Sequence, residues 1–162
     1  MKRICIFFLA LAGLAYFGLL PFRAHDVAQL LPVETVIVTR DGGQYCVDIG
    51  AGVRAVGRTL SEALDRLQEQ VSGVLFFQTA EQVIVTEAAA DAIPAVAEQA
   101  RFRPAAGLYS SPEAPDAHAV SDYLKTRSAS LTVGEAKAAL AEGRTPQPPR
   151  IVPAGGGYRL LA

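Results

Sequence analysis

Two histidines, two cysteines and a few closely spaced carboxylates are the residues of this 162-residue chain whose types could do chemistry. His118 precedes Ser121 and Asp122 by one helical turn, and together these are the types that a nucleophile–base–acid triad requires. A triad is assembled by separate elements converging in space, and neighbours on one helix rarely provide that geometry. Their expected place is the surface of a helix, with His25 lying beside the N-terminal apolar segment. Asp41 and Asp48 bracket a turn and, with Glu34, offer oxygen ligands for a hard cation. Calcium needs about six to eight oxygens, most of them from one tight loop, and this spacing matches no such loop.

Gly155-Gly156-Gly157 has the glycine content of a phosphate loop but lacks both the following Lys-Ser/Thr and a helix whose dipole would face an anion. It reads as a turn. Arg101 and Arg103 flank Phe102 ahead of Pro104 and could meet an anion; a solvated helix end complementing the macrodipole is the expectation. Cys5 lies inside the apolar N-terminal run and Cys46 in a strand, so no disulfide and no zinc site is expected, and Cys46 reads as a small buried hydrophobe. The sequence therefore points to no catalytic, cofactor-binding or metal-ligating residue, and to a chain that is not an enzyme. Lys and Arg total 15 against 16 Asp and Glu, a net charge of −1, so a nucleic-acid partner has no electrostatic support.

Lys2-Arg3 followed by the apolar run from Ile4 to Leu20, closed by Pro21-Phe22-Arg23, directs the chain to the membrane with its N-terminus inside. The run is long for a cleaved signal, and Phe22 occupies a position where a cleavage site needs a small residue, which favours an uncleaved signal-anchor over a signal peptide. No lipobox ends the run. The remainder is then extracytoplasmic, held to the membrane through the N-terminal helix, or secreted if cleavage occurs.

The expected divisions are residues 1–22 as anchor or signal, 23–32 as a connector opening with a helical turn over Asp26 to Leu31, 33–143 as one domain, and 144–162 as a Pro-rich linker and hairpin. Within the domain, Val33 to Arg40 and Gln44 to Ile49 read as strands joined at Asp41-Gly42-Gly43, with a short strand at Val53 to Val56. Thr59 and Glu62 form a capping box for a helix whose apolar face is Leu60, Ala63, Leu64, Leu67 and Val71, ending at Ser72-Gly73. Short apolar runs at Val74 to Phe77 and Val83 to Val85 precede a helix over 87–100, in which Asp91 is a candidate internal N-cap and Pro94 falls in the first turn. Ala105 to Ser110 reads as a strand and Ala117 to Ser128 as a helix. Thr132 with Glu135 caps a last helix over Val133 to Ala141, before the extended 144–150 segment and a hairpin around Ala154 to Gly157. The fold class is mixed α/β (α+β): a mixed β-sheet of about four to five strands with helices packed on it, plus an N-terminal transmembrane or signal helix.

From Gly57-Arg58-Thr59-Leu60-Ser61-Glu62-Ala63-Leu64 onward the chain resembles the N-terminal domain of the Ger(x)C-type spore germination proteins, the C subunits of germinant receptors. The likeness covers roughly residues 26–111. It rests on the strand Val36-Ile37-Val38, the Gly-x-Thr helix start, Leu75-Phe76-Phe77 leading to Val83-Ile84-Val85, the Glu87 to Ala90 stretch and Arg101-Phe102-Arg103-Pro104. Asp26 to Leu31 is similar to the segment that opens the mature family domain. The resemblance implies a non-enzymatic, membrane-associated subunit on the outer face of the inner spore membrane, working by protein–protein interaction with other germinant receptor membrane subunits. The family's lipidated cysteine is missing here, and its further domains do not follow. The rival expectation is an exported small-molecule or ion-binding domain, which would need a pocket lined by convergent polar groups.

Overall fold

The computed structural model describes residues 29–50 and 52–161. The expected N-terminal helix and most of the connector fall outside these residues, and among the described ones no helix is long and apolar enough to cross a membrane. In chain order the strands are β1 (Leu30–Pro32), β2 (Thr35–Asp41), β3 (Gln44–Asp48), β4 (Arg54–Gly57), β5 (Val74–Phe76), β6 (Gln82–Thr86), β7 (Gly107–Ser111), β8 (Arg150–Ala154) and β9 (Gly157–Leu161). The helices are α1 (Leu60–Glu69), α2 (Ile93–Glu98), α3 (Ala117–Leu124) and α4 (Val133–Ala141). Seven strands form one sheet in the order β4-β3-β2-β6-β7-β8-β9, and β1 pairs with β5 in a separate parallel ribbon.

Parallel pairing joins β2 to β6, β6 to β7 and β7 to β8, while the hairpin partners β3, β4 and β9 run antiparallel to their neighbours. The parallel centre explains the β-branched runs, because strands covered on both faces have no solvent side to fill with polar residues. Every residue of β6 is buried. On β2 the side chains alternate between two cores. Val36 and Val38 share one with Leu60, Leu64 and Leu67 of α1, Val96 of α2 and Ala136 of α4. Ile37 turns the other way and, with Ile84, Tyr109 and Ile151, packs on Val120 and Leu124 of α3. Three helices thus cover one face of the sheet and one helix the other.

Local signals place the helix starts. The Thr132 hydroxyl accepts from the Glu135 N–H at 3.2 Å while the Glu135 carboxylate accepts from the Thr132 N–H at 2.8 Å, a complete capping box. At α1 the Thr59 hydroxyl accepts from the Glu62 N–H at 3.1 Å, but the Glu62 carboxylate takes the N–H of Arg58, one residue earlier than the box predicts. Gly57 lets α1 lie against β4, since a Cβ there would come within 2.4 Å of the Ala63 backbone nitrogen. From α1 the Arg66 guanidinium donates to the Val56 carbonyl and the Gln70 amide to the Arg54 carbonyl, so the helix satisfies acceptors along the outer edge of β4.

The mixed α+β class is as expected, with a larger sheet than the four to five strands the sequence predicts. The extra strands are β8 and β9. Residues 150–161, expected as an appended hairpin, continue the sheet: the Ser110 N–H donates to the Pro149 carbonyl, and Ile151 is fully buried against α3. The 144–149 segment is extended as its prolines dictate, with Pro146 and Pro149 buried. Leu30 and Leu31, expected in a helical turn, are drawn into β1 by pairing with Val74 and Leu75. The helix expected over 87–100 is a 3₁₀ segment, Glu87–Ala92, followed by α2, with non-helical backbone at Ala89 and Pro94 in the first turn of α2. Asp91 caps nothing, because its carboxylate is engaged elsewhere. The helix expected to reach Ser128 ends at Leu124.

Two substitutions separate local from tertiary contributions. Thr132→Ala should lower stability by about 1 kcal/mol through loss of the cap. Gly57→Ala should cost about 1–3 kcal/mol, because α1 must shift to admit the methyl group. Urea denaturation of both variants measures the order, and a Gly57→Ala protein as stable as the parent would mean that α1 does not rest on β4.

Candidate functional site

Because α3 lies alone on its face, the sheet beside it is only partly roofed, and three clefts border the helix. One of about 220 Å³ sits at its N-terminal half, between His118 and Ser121 on the helix and Glu34, Thr35 and Gly50. A wider groove of about 540 Å³ separates the other flank of α3 (Asp116, Tyr123) from the β8–β9 turn at Gly155 to Gly157 and Tyr158. The third, about 230 Å³, lies at the C-terminal end of α3 and is walled by Gln82, Arg103, Gly107, Tyr109, Lys125 and Arg127.

The sequence candidates distribute among these places without forming a reaction centre. His118 and Ser121 line the same small cleft, but neither hydrogen-bonds the other; His118 is exposed, and the buried Ser121 hydroxyl has no partner among the described residues. Asp122 turns away to Lys125 at 3.3 Å. Asp48 accepts from the Gly50 N–H at 2.7 Å and Glu34 pairs with Lys125 at 3.3 Å, so the carboxylates considered for a cation do not converge. Among the described residues no group of three or more His, Cys, Asp and Glu could hold a metal ion. Gly155 and Gly156 take positive φ values of 54° and 87° and form the two-residue turn of the β8–β9 hairpin, the conformation that favours glycine there. Cys46 is buried, and the Arg54 guanidinium lies 3.2 Å from its sulfur.

Arg101 and Arg103 part company. Arg101 forms an ion pair with Asp65 of α1, away from the end of α2. Arg103 is half-buried on the third cleft, and its Nε has no hydrogen-bond partner among the described residues. Sequence reasoning also missed Gln82 and Tyr109, which line the same cleft. The polar pair Glu81-Gln82 ahead of Val83-Ile84-Val85 is the one local signal for Gln82; nothing local marks Tyr109.

The densest polar contact outside the clefts joins Arg40, Tyr45 and Asp91. The Asp91 carboxylate accepts from the Tyr45 hydroxyl at 2.7 Å and from Arg40 at 2.8 Å, and the Arg40 guanidinium lies 4.8 Å from the centre of the Tyr45 ring. The Tyr45 hydrogen bond, with Arg40 beside it, holds the Asp91 carboxyl below its ordinary range, and the same bond raises Tyr45. This cluster ties the β2–β3 hairpin to the 3₁₀ segment.

Comparison with known proteins finds no matching family model, no matching curated protein and no matching solved structure.

The unpaired hydroxyl and the depressed carboxyl each make a measurable prediction. Ser121→Ala should leave stability unchanged or raise it by up to about 1 kcal/mol, since a buried hydroxyl without a partner is a cost; a clear loss in thermal denaturation would reveal a partner for Ser121. For Asp91, the folded carboxyl takes its proton at lower pH than the unfolded one, so its contribution is present above the ordinary aspartate range and fades as pH falls through the folded value. Asp91→Asn should therefore be less stable than the parent at pH 7, by no more than about 1 kcal/mol for so exposed a group, and the two urea midpoints should converge in acid. A constant offset between them down to pH 2 would refute the linkage.

Proposed function

We propose that the chain is a membrane-anchored, extracytoplasmic, non-catalytic module that works by protein–protein contact within an assembly resembling a spore germinant receptor. The observation that carries the contact reading is the β1–β5 ribbon. Leu75 turns into the core and its partner Leu31 is 40% exposed at the edge of that face, while on the opposite face Phe76, 39% exposed, lies level with the exposed Pro32. Beside Phe76 a shallow depression of about 840 Å³ is edged by Asp65, Glu69 and Arg101. Apolar side chains rimmed by charge are the usual make-up of a surface that meets another protein. The ribbon begins ten residues after the apolar N-terminal run ends at Leu20, so an anchor there would keep this surface close to membrane-embedded partners. The segments that carry the family resemblance also occupy connected parts of the fold, in β2, α1, β5 and β6.

A second reading, an exported domain that binds a small molecule, is favoured by one observation, the cationic lining of the third cleft.

The contact reading is tested by placing a photo-crosslinking amino acid at Phe76 of the full chain in sporulating cells. The expected product is a cross-link to a multi-span membrane protein of the forming spore, with none from the same group at Lys137, on the exposed side of α4. Absence of the chain from forming spores, or equal labelling from both positions, would overturn the proposal.

A further inference from the structure

The N-terminal ends of β6 and β7 bring Gln82 and Tyr109 to the floor of the third cleft, and both are unusual for groups so deeply placed. Tyr109 is 2% exposed and Gln82 4% exposed. The Thr35 hydroxyl donates to the Gln82 Oε1 at 2.8 Å, which leaves the Nε2 as the donor of that amide still free. The Tyr109 ring folds back over Gly107: a Cβ on Gly107 would meet the Tyr109 ring at 2.8 Å and its hydroxyl oxygen at 3.0 Å. The glycine therefore admits the phenol to this end of the sheet. Burial raises Tyr109 above the usual tyrosine range, so its hydroxyl keeps its proton and can donate. Neither the Tyr109 hydroxyl nor the Gln82 Nε2 bonds another described residue, and neither is among the fully buried polar atoms, so both reach the open space of the cleft.

The charge on the walls is mostly positive. Arg103 has no ion pair among the described residues, and its Nε is buried without a partner. Lys125 lies at the mouth and is shared with Glu34 and Asp122, each at 3.3 Å. Arg127 stands behind it, stacked 3.7 Å from the centre of the Tyr123 ring. Glu81 is the one carboxylate on the lining, and it is exposed at the rim. A guanidinium, an amide N–H and a phenol O–H facing one cavity of about 230 Å³ are a set of donors that lacks its acceptor.

We propose that this cleft binds one small oxyanion, the carboxylate or phosphate group of a water-soluble molecule. Arg103 supplies the charge, and Tyr109 and Gln82 supply directed hydrogen bonds from the floor. Lys125 and Arg127 attract the anion to the mouth. The proposal does not depend on the receptor reading, since it concerns the opposite end of α3 from His118 and a different surface from Phe76.

The test is a titration of the full chain in detergent micelles with sodium phosphate and, separately, sodium acetate, against sodium chloride at matched ionic strength. Amide shifts of Arg103, Gly107 and Tyr109 are followed by NMR. The expected result is a saturable shift with at least one of the two oxyanions, and whichever binds more tightly names the group. Arg103→Gln should weaken binding by about tenfold or more, as loss of a charged hydrogen bond does, and Arg103→Lys should recover part of it. Tyr109→Phe should weaken binding several-fold with the fold intact, and Arg101→Gln, whose guanidinium is committed to Asp65, should leave it unchanged. Shifts that fail to saturate with both anions, or an Arg103→Gln protein that binds as tightly as the parent, would overturn the proposal.

Discussion

The burial of β6 on both faces is the condition on which the rest of the architecture depends. Its five residues lie between two parallel neighbours and two cores, so β2 and β7 must supply its hydrogen bonds and helices must cover both sides. The apolar centre Val83-Ile84-Val85 meets this demand with side chains alone. The polar ends do not: Gln82 finds Thr35 on β2, whereas the Thr86 hydroxyl is buried without a partner among the described residues. Leaving such a group unpaired costs about 1–3 kcal/mol, which the flanking contacts of the strand must offset.

What could be read from the sequence was local or periodic. The Thr132–Glu135 box, the Gly42-Gly43 turn, the apolar face of α1 and the β-branched core strands each depend on residues a few positions apart, and each appears in the structure. Local pattern is overridden where distant residues compete for the same group. Asp91 had the sequence context of a cap, but Arg40 and Tyr45, brought over by the β2–β3 hairpin, claim its carboxylate, and the helix starts later without it. The C-terminal hairpin looked detachable behind its prolines because the acceptors at Pro148 and Pro149 meet a donor, Ser110, that the sequence places far away. The same limit applies to the clefts. His118 and Ser121 were visible as types, yet Arg103, Gln82 and Tyr109 come together only through the parallel alignment of β6 with β7.

The unequal helix cover of the sheet accounts for where open surface remains. On the side of α1, α2 and α4 the helices pack closely, with Phe77 and Phe102 meeting edge to face at 6.0 Å. On the side of α3 a helix of eight residues spans a sheet too wide for it, and the clefts follow its two flanks and its end. Polar side chains can collect there without being crushed into a core.

One border of the sheet is already occupied. Along β4 the carbonyls of Arg54 and Val56, which would otherwise await a neighbouring strand, are already taken by Gln70 and Arg66. Any chain seeking to lengthen the sheet on that side must first evict two side chains anchored to a packed helix. That border is sealed against strand-by-strand growth, and the seal belongs to the same helix that Gly57 allows to lie so close.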